Sequence, residues 1–149
     1  MQKSDIHGLL HDIVGQRCER ATNPHGSILS IDFGALGRRP DDDLSATLHG
    51  WRHLTILSPW RIQDQQHILA DWNTNGGRSG TISAVIEPLV GQRVLAAQTS
   101  PPGWDLTIQW SGGLSLVVFG DSNDEREDAW FILGTDGVEA SAIPIIRLS

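Results

Sequence analysis

His7 and His11 lie four residues apart in a stretch with helical spacing, which puts two imidazoles on one helix face where zinc can be ligated. They are the metal candidates; His49 and His53 share the spacing but straddle a loop and a strand start. No His-Glu-x-x-His motif or cysteine–histidine cluster accompanies either pair, and the bland reading is surface histidine, so neither a metal nor a cofactor is expected. A nucleophilic enzyme needs an activated Ser, Cys or Thr with a base. Gly-x-Ser-x-Gly is absent, as are a phosphate loop and Gly-x-Gly-x-x-Gly, so no catalytic residue is assigned. Cys18 sits in an expected strand, where it reads as a small buried hydrophobe rather than a reactive thiolate.

Two other groups of residues have chemistry to offer. The run Asp121-Ser122-Asn123-Asp124-Glu125-Arg126-Glu127-Asp128 is dense in carboxylates but lacks the alternation and glycine of a calcium loop. Asp121, Asp124, Glu125, Glu127 and Asp128 are therefore read as a surface for a basic protein partner, where clustered rim charge speeds and selects association. The competing reading is a solvated hairpin tip whose charge keeps sheet edges from pairing. Trp51, Trp72 and Trp104 stand at loop edges beside polar residues and form an alternative ligand-binding set, suited to sugars or planar ligands. Partial burial at the ends of the sheets is the simpler account of them.

The elements that must position these residues come from an internal repeat. Val-Gly-Gln-Arg occurs at Val14–Arg17 and again at Val90–Arg93. Downstream, Leu29, Ile31 and Phe33 alternate with polar residues just as Leu106, Ile108 and Trp110 do, the mark of half-buried antiparallel strands. Asp5 or Ser4 can cap a helix to about residue 12, and a shorter second helix near residue 81 is limited by Pro88. Trp60-Arg61-Ile62 matches Trp130-Phe131-Ile132. The expected fold is α+β and mainly β. It is one domain over 1–149, made of pseudo-symmetric repeats at about 4–72 and 81–149 joined by an Asn/Gly-rich seam at 73–80. Each repeat is a short helix plus about five antiparallel strands. Residues 35–50 in the first repeat and 121–128 in the second have no counterpart in the other, and Pro144–Leu148 reads as a last edge strand.

Composition narrows the function classes. A net charge of −7 divides as −2 over residues 1–75 and −5 over 76–149, which disfavours nucleic acid and suits a basic protein partner. No apolar run reaches the roughly 20 residues of a membrane span, and the first residues lack a basic segment followed by an apolar core. A lone cysteine fits a reducing compartment, so a cytoplasmic location is expected, with no membrane or nucleic-acid partner; homo-oligomerisation stays open.

Gly91–Val94, Asp105–Trp110, the Gly112-Gly113 turn and Trp130–Ile132 together give the chain a pattern that resembles small bacterial duplicated-β proteins, similar in style to toxin-immunity families. The resemblance implies a non-enzymatic immunity or inhibitor protein that occludes a basic partner through the acidic loop. It rests on framework positions and transfers no functional residue. The alternative is a small-ligand or carbohydrate-binding protein with a groove between the repeats; an enzyme stands third, to be revived by histidines and carboxylates converging in one cleft.

Overall fold

The Asp5 carboxylate accepts the backbone N–H groups of His7 and Gly8, both at 3.3 Å, and starts helix α1 (Ile6–Ile13). The structure is a computed structural model that describes residues 2–3, 5–38, 43–45, 47–74, 80–120 and 129–142. Ile6, Leu9, Leu10 and Ile13 form the buried stripe of α1, and Gly15, at φ +85°, turns the chain out of it. The second helix, α2 (Thr81–Ile86), has no side-chain cap. It tightens into a 3-10 turn (Glu87–Leu89) because Pro88 brings no N–H to continue an α-helical ladder. Gly91, at φ +91°, repeats the exit that Gly15 makes.

Strands β1 (Gln2–Lys3), β2 (Cys18–Thr22), β3 (Leu29–Phe33), β4 (Arg52–Ile56), β5 (Trp60–Gln63) and β6 (Ile68–Asp71) precede α2. After it come β7 (Val94–Ser100), β8 (Asp105–Trp110), β9 (Ser115–Val118), β10 (Trp130–Gly134) and β11 (Val138–Ala142). They form a six-stranded sheet, β1-β11-β10-β4-β3-β2, and a five-stranded sheet, β6-β5-β9-β8-β7. All pairs are antiparallel except β1 with β11. The α+β, mainly β class follows directly.

The repeats do more than pack on each other. Each contributes a three-stranded meander to one sheet (β2-β3-β4, β7-β8-β9) and then sends its last two strands to the other. So β5-β6 of the first repeat complete the second repeat's meander, and β10-β11 complete the first's. The helices follow the same rule: α1 lies against β7 and β11, α2 against β2 and β6. A meander alone would leave its inner face wet, and the exchange removes that cost for both sheets at once.

Val-Gly-Gln-Arg marks the place where the two repeats meet. Gly15 N–H donates to the Val94 carbonyl and Gly91 N–H to the Cys18 carbonyl, both at 2.8 Å. Cys18 N–H reaches the Gln92 carbonyl at 2.8 Å and Val94 N–H the Gln16 carbonyl at 3.0 Å. Arg17 thus faces Arg93 across a short antiparallel bridge on the pseudo-two-fold. The arginines are structural: Arg93 donates to the Gly15 carbonyl at 3.0 Å, and Arg17 pairs with Glu19 at 3.5 Å.

The core is filled in pairs: Ile6 with Ile82, Cys18 with Val94, Leu29 with Leu106, Ile31 with Ile108, Phe33 with Trp110, and Ile62 with Ile132, every one buried. Trp60 and Trp130 are buried too, and each indole N–H bonds a turn carbonyl, of Ser27 at 2.7 Å and of Trp104 at 2.9 Å. Trp110 differs, since its indole N–H has no partner among the described residues.

Candidate functional site

What both repeats share is consumed by the core, so function is sought where they differ. The first difference is the crossing between sheets. The first repeat passes from β4 to β5 in three residues, Leu57-Ser58-Pro59; the second passes from β9 to β10 through residues 119–129. The first crossing and the described ends of the second bond reciprocally: Phe119 N–H to the Pro59 carbonyl at 2.8 Å, Leu57 N–H to the Ala129 carbonyl at 2.9 Å. Phe119 therefore corresponds to Leu57 and Ala129 to Pro59. Gly120 is buried, its N–H held by the Asp105 carboxylate at 2.7 Å, and a Cβ there would overlap the Gly103 carbonyl. The strands on either side, β9 and β10, belong to different sheets, so the connection links the two sheets instead of two paired strands. Asp121, Asp124, Glu125, Glu127 and Asp128 themselves lie outside the described residues, as do 75–79 of the seam and Pro144–Leu148.

The second difference lies on the outer face of the six-stranded sheet. Strand pairing sets Arg20 beside Asp32 and Asp32 beside His53, and the chain returning after residue 45 brings His49 over them through a two-bonded bridge to Gly37. Asp32 is buried. Its Oδ1 accepts from Gly50 N–H at 2.8 Å and meets His53 Nδ1 at 2.7 Å, while its Oδ2 accepts from Arg20 Nε at 2.9 Å. Arg20 also donates to the Leu48 carbonyl, which fastens the 35–50 segment to the sheet. Burial alone would raise the Asp32 pKa, but these donors outweigh it and hold the carboxyl below the usual range, so it is ionised. The His49 and His53 rings lie 4.5 Å apart between centroids, and Thr55 Oγ1 faces His53 Nε2 at 3.2 Å.

Asp32–His53–Thr55 has the order of a nucleophilic triad, yet Thr55 lies mid-strand between Ser30 and Phe131. The backbone N–H groups around it serve the sheet ladder, not a developing oxyanion, so acyl transfer is not the chemistry this arrangement favours. Sequence reasoning missed the cluster. The spacing of His49 and His53 is visible, but Asp32 and Thr55 show only as polar members of alternating strands, and the long connection between β3 and β4 hides the register that aligns them with His53.

The residues singled out from sequence are scattered. Both His7 and His11 are exposed; His7 lies 5.9 Å from the Trp104 ring, and no third ligand joins the pair among the described residues. Trp72 and Trp104 are half-buried against the core, and Trp51 is half-buried under the Arg52 guanidinium, 3.9 Å from its ring centroid. No ring contact joins any two of these three. An open depression of about 360 Å³ does lie between the repeats, lined by Asp64, Gln65, Gln66, Gly112 and Gly113, without a tryptophan. Arg52 is buried and bridges Asp12 of α1 at 2.8 Å to Asp136 of the β10–β11 turn at 3.0 Å, a structural tie between the repeats. Burial pushes the Cys18 thiol up to about 12, which makes it unreactive at neutral pH. No described helix is long and apolar enough to cross a membrane. The chain matches no protein-family model, no curated protein and no solved structure.

Proposed function

We propose that this chain is a non-enzymatic binding protein of the immunity or inhibitor type, which occludes a basic partner protein through Asp121, Asp124, Glu125, Glu127 and Asp128. One observation carries the reading. The same sheet-to-sheet crossing is closed by three residues in the first repeat, so 121–128 is surplus to the fold in the second. That surplus holds five carboxylates and one arginine, a net −4 of the chain's −7. Charge placed where the backbone needs no residues at all fits recognition better than folding. Its base is firm, because Gly120 and Ala129 are buried and bonded on either side. Clustered carboxylates of this kind steer a basic surface into place and exclude acidic competitors.

The test is affinity capture with the chain and with a variant carrying Asp121→Asn, Asp124→Asn, Glu125→Gln, Glu127→Gln and Asp128→Asn together. The expected result is a basic protein retained by the first, released by moderate salt, and lost from the second. Capture that is unchanged in affinity and salt dependence would overturn the reading. Small-ligand binding by Trp51, Trp72 and Trp104 has less support, since their rings are apart and largely occupied by neighbours.

A further inference from the structure

We propose that Asp32, His49 and His53 form a binding site for a divalent transition-metal ion of the zinc type, which clamps the 35–50 segment onto the six-stranded sheet. A carboxylate oxygen of Asp32 and ring nitrogens of the two histidines lie within 4.8 Å of one another. Tetrahedral coordination with bonds of ~2.1 Å needs ligand atoms roughly 3.4 Å apart, so adjustments of about an ångström or less bring all three to one ion. Two imidazoles and a carboxylate make a borderline donor set that suits zinc-type ions and leaves a coordination position open.

The partners around Asp32 and His53 are those a metal site requires. The His53 Nδ1 proton points at Asp32 Oδ1, 2.7 Å away, so a cation would take that proton's place once the two atoms part by about 0.7 Å. Ligation through Nδ1 moves that proton to Nε2, where Thr55 Oγ1 at 3.2 Å accepts it. The number of protons on the ring is unchanged. Arg20 holds the other oxygen, Oδ2, at 2.9 Å and fixes the carboxylate's orientation; its positive charge moderates affinity without occupying Oδ1.

The second repeat supplies an internal control. Strand registers place Ala96 where the first repeat has Arg20, Gln109 where it has Asp32, and Ser115 where it has His53. That half builds the same meander with no ionisable group at any of the three positions, so the framework does not call for the cluster. The cluster also coincides with the 35–50 segment, which only the first repeat has.

Titration of the intact chain with Zn2+, and with Co2+ followed by its visible absorption, tests the site. One equivalent is expected to bind, with affinity falling at least about tenfold in His49→Ala and in His53→Gln. Mg2+ and Ca2+ should not compete, for lack of oxygen ligands. His49 lies outside the strands, so His49→Ala with an unchanged circular dichroism spectrum separates ligand loss from misfolding. The proposal is overturned if the wild-type chain binds neither ion or if His49→Ala binds like wild type. It is also overturned if the binding disappears in His7→Ala/His11→Ala, which would place the ion on α1 instead.

Discussion

Trp60 and Trp110 are equally buried but differ in one hydrogen bond, and that difference sets what each tolerates. Trp60→Phe removes the indole donor from the Ser27 carbonyl and shrinks a packed ring, an expected loss of about 2–3 kcal/mol in denaturant unfolding. Trp110→Phe relieves a buried N–H that has no partner among the described residues and installs the residue the other repeat carries as Phe33, so the cavity and the desolvation gain offset to within about 1 kcal/mol. Cys18 gives a pH signature. Its thiol stays protonated in the fold up to about 12, whereas the unfolded chain releases the proton near the ordinary value of 9.0. Stability is therefore fully present below pH 9 and drains away as pH rises toward 12. Cys18→Val, which installs the residue type of its counterpart Val94, is expected to lack that slope when the two are unfolded by urea across the alkaline range. Core residues of this kind were readable from sequence, since apolar alternation and a matched partner name them. Asp32 and His53 were not, because only cross-strand register shows that they touch.

At the level of elements, the strands other than β1 came through from periodicity and the helix ends from Asp5, Gly15 and Gly91, each of which has a local cause visible in its own few residues. What local patterning does not carry is the destination of β5-β6 and β10-β11. The residues of Leu57-Ser58-Pro59 look the same whether the next strand folds back on its own meander or crosses to the other sheet. The reciprocal bonding of the two crossings yields a direct test. Deleting residues 121–128 leaves Phe119-Gly120-Ala129 in the register of Leu57-Ser58-Pro59, and the shortened chain should fold with a melting temperature within about 4 °C of the parent. A collapse in stability would show that the acidic segment is part of the framework after all.

At the scale of the whole molecule, the chain should unfold in one step despite its duplicated sequence. No sheet belongs to one repeat, and the Arg52 bridge to Asp12 and Asp136 adds a further tie across the halves. Fragments 1–74 and 80–149 produced separately are expected to lack the dispersed amide spectrum of a folded protein, and to recover it when mixed. Two independent melting transitions in the intact chain would contradict this. The exchange of strands also constrains how the protein can be made. As the chain leaves the ribosome, β5 and β6 are complete while β9, the strand β5 must pair with, is still unsynthesised, since more than fifty residues separate Gln63 from Val118. The first half must wait with its inner face and the Trp60–Gln63 edge unpaired. During that interval it is open to chaperones, to proteases and to the same half of a neighbouring nascent chain, whose strands fit it nearly as well.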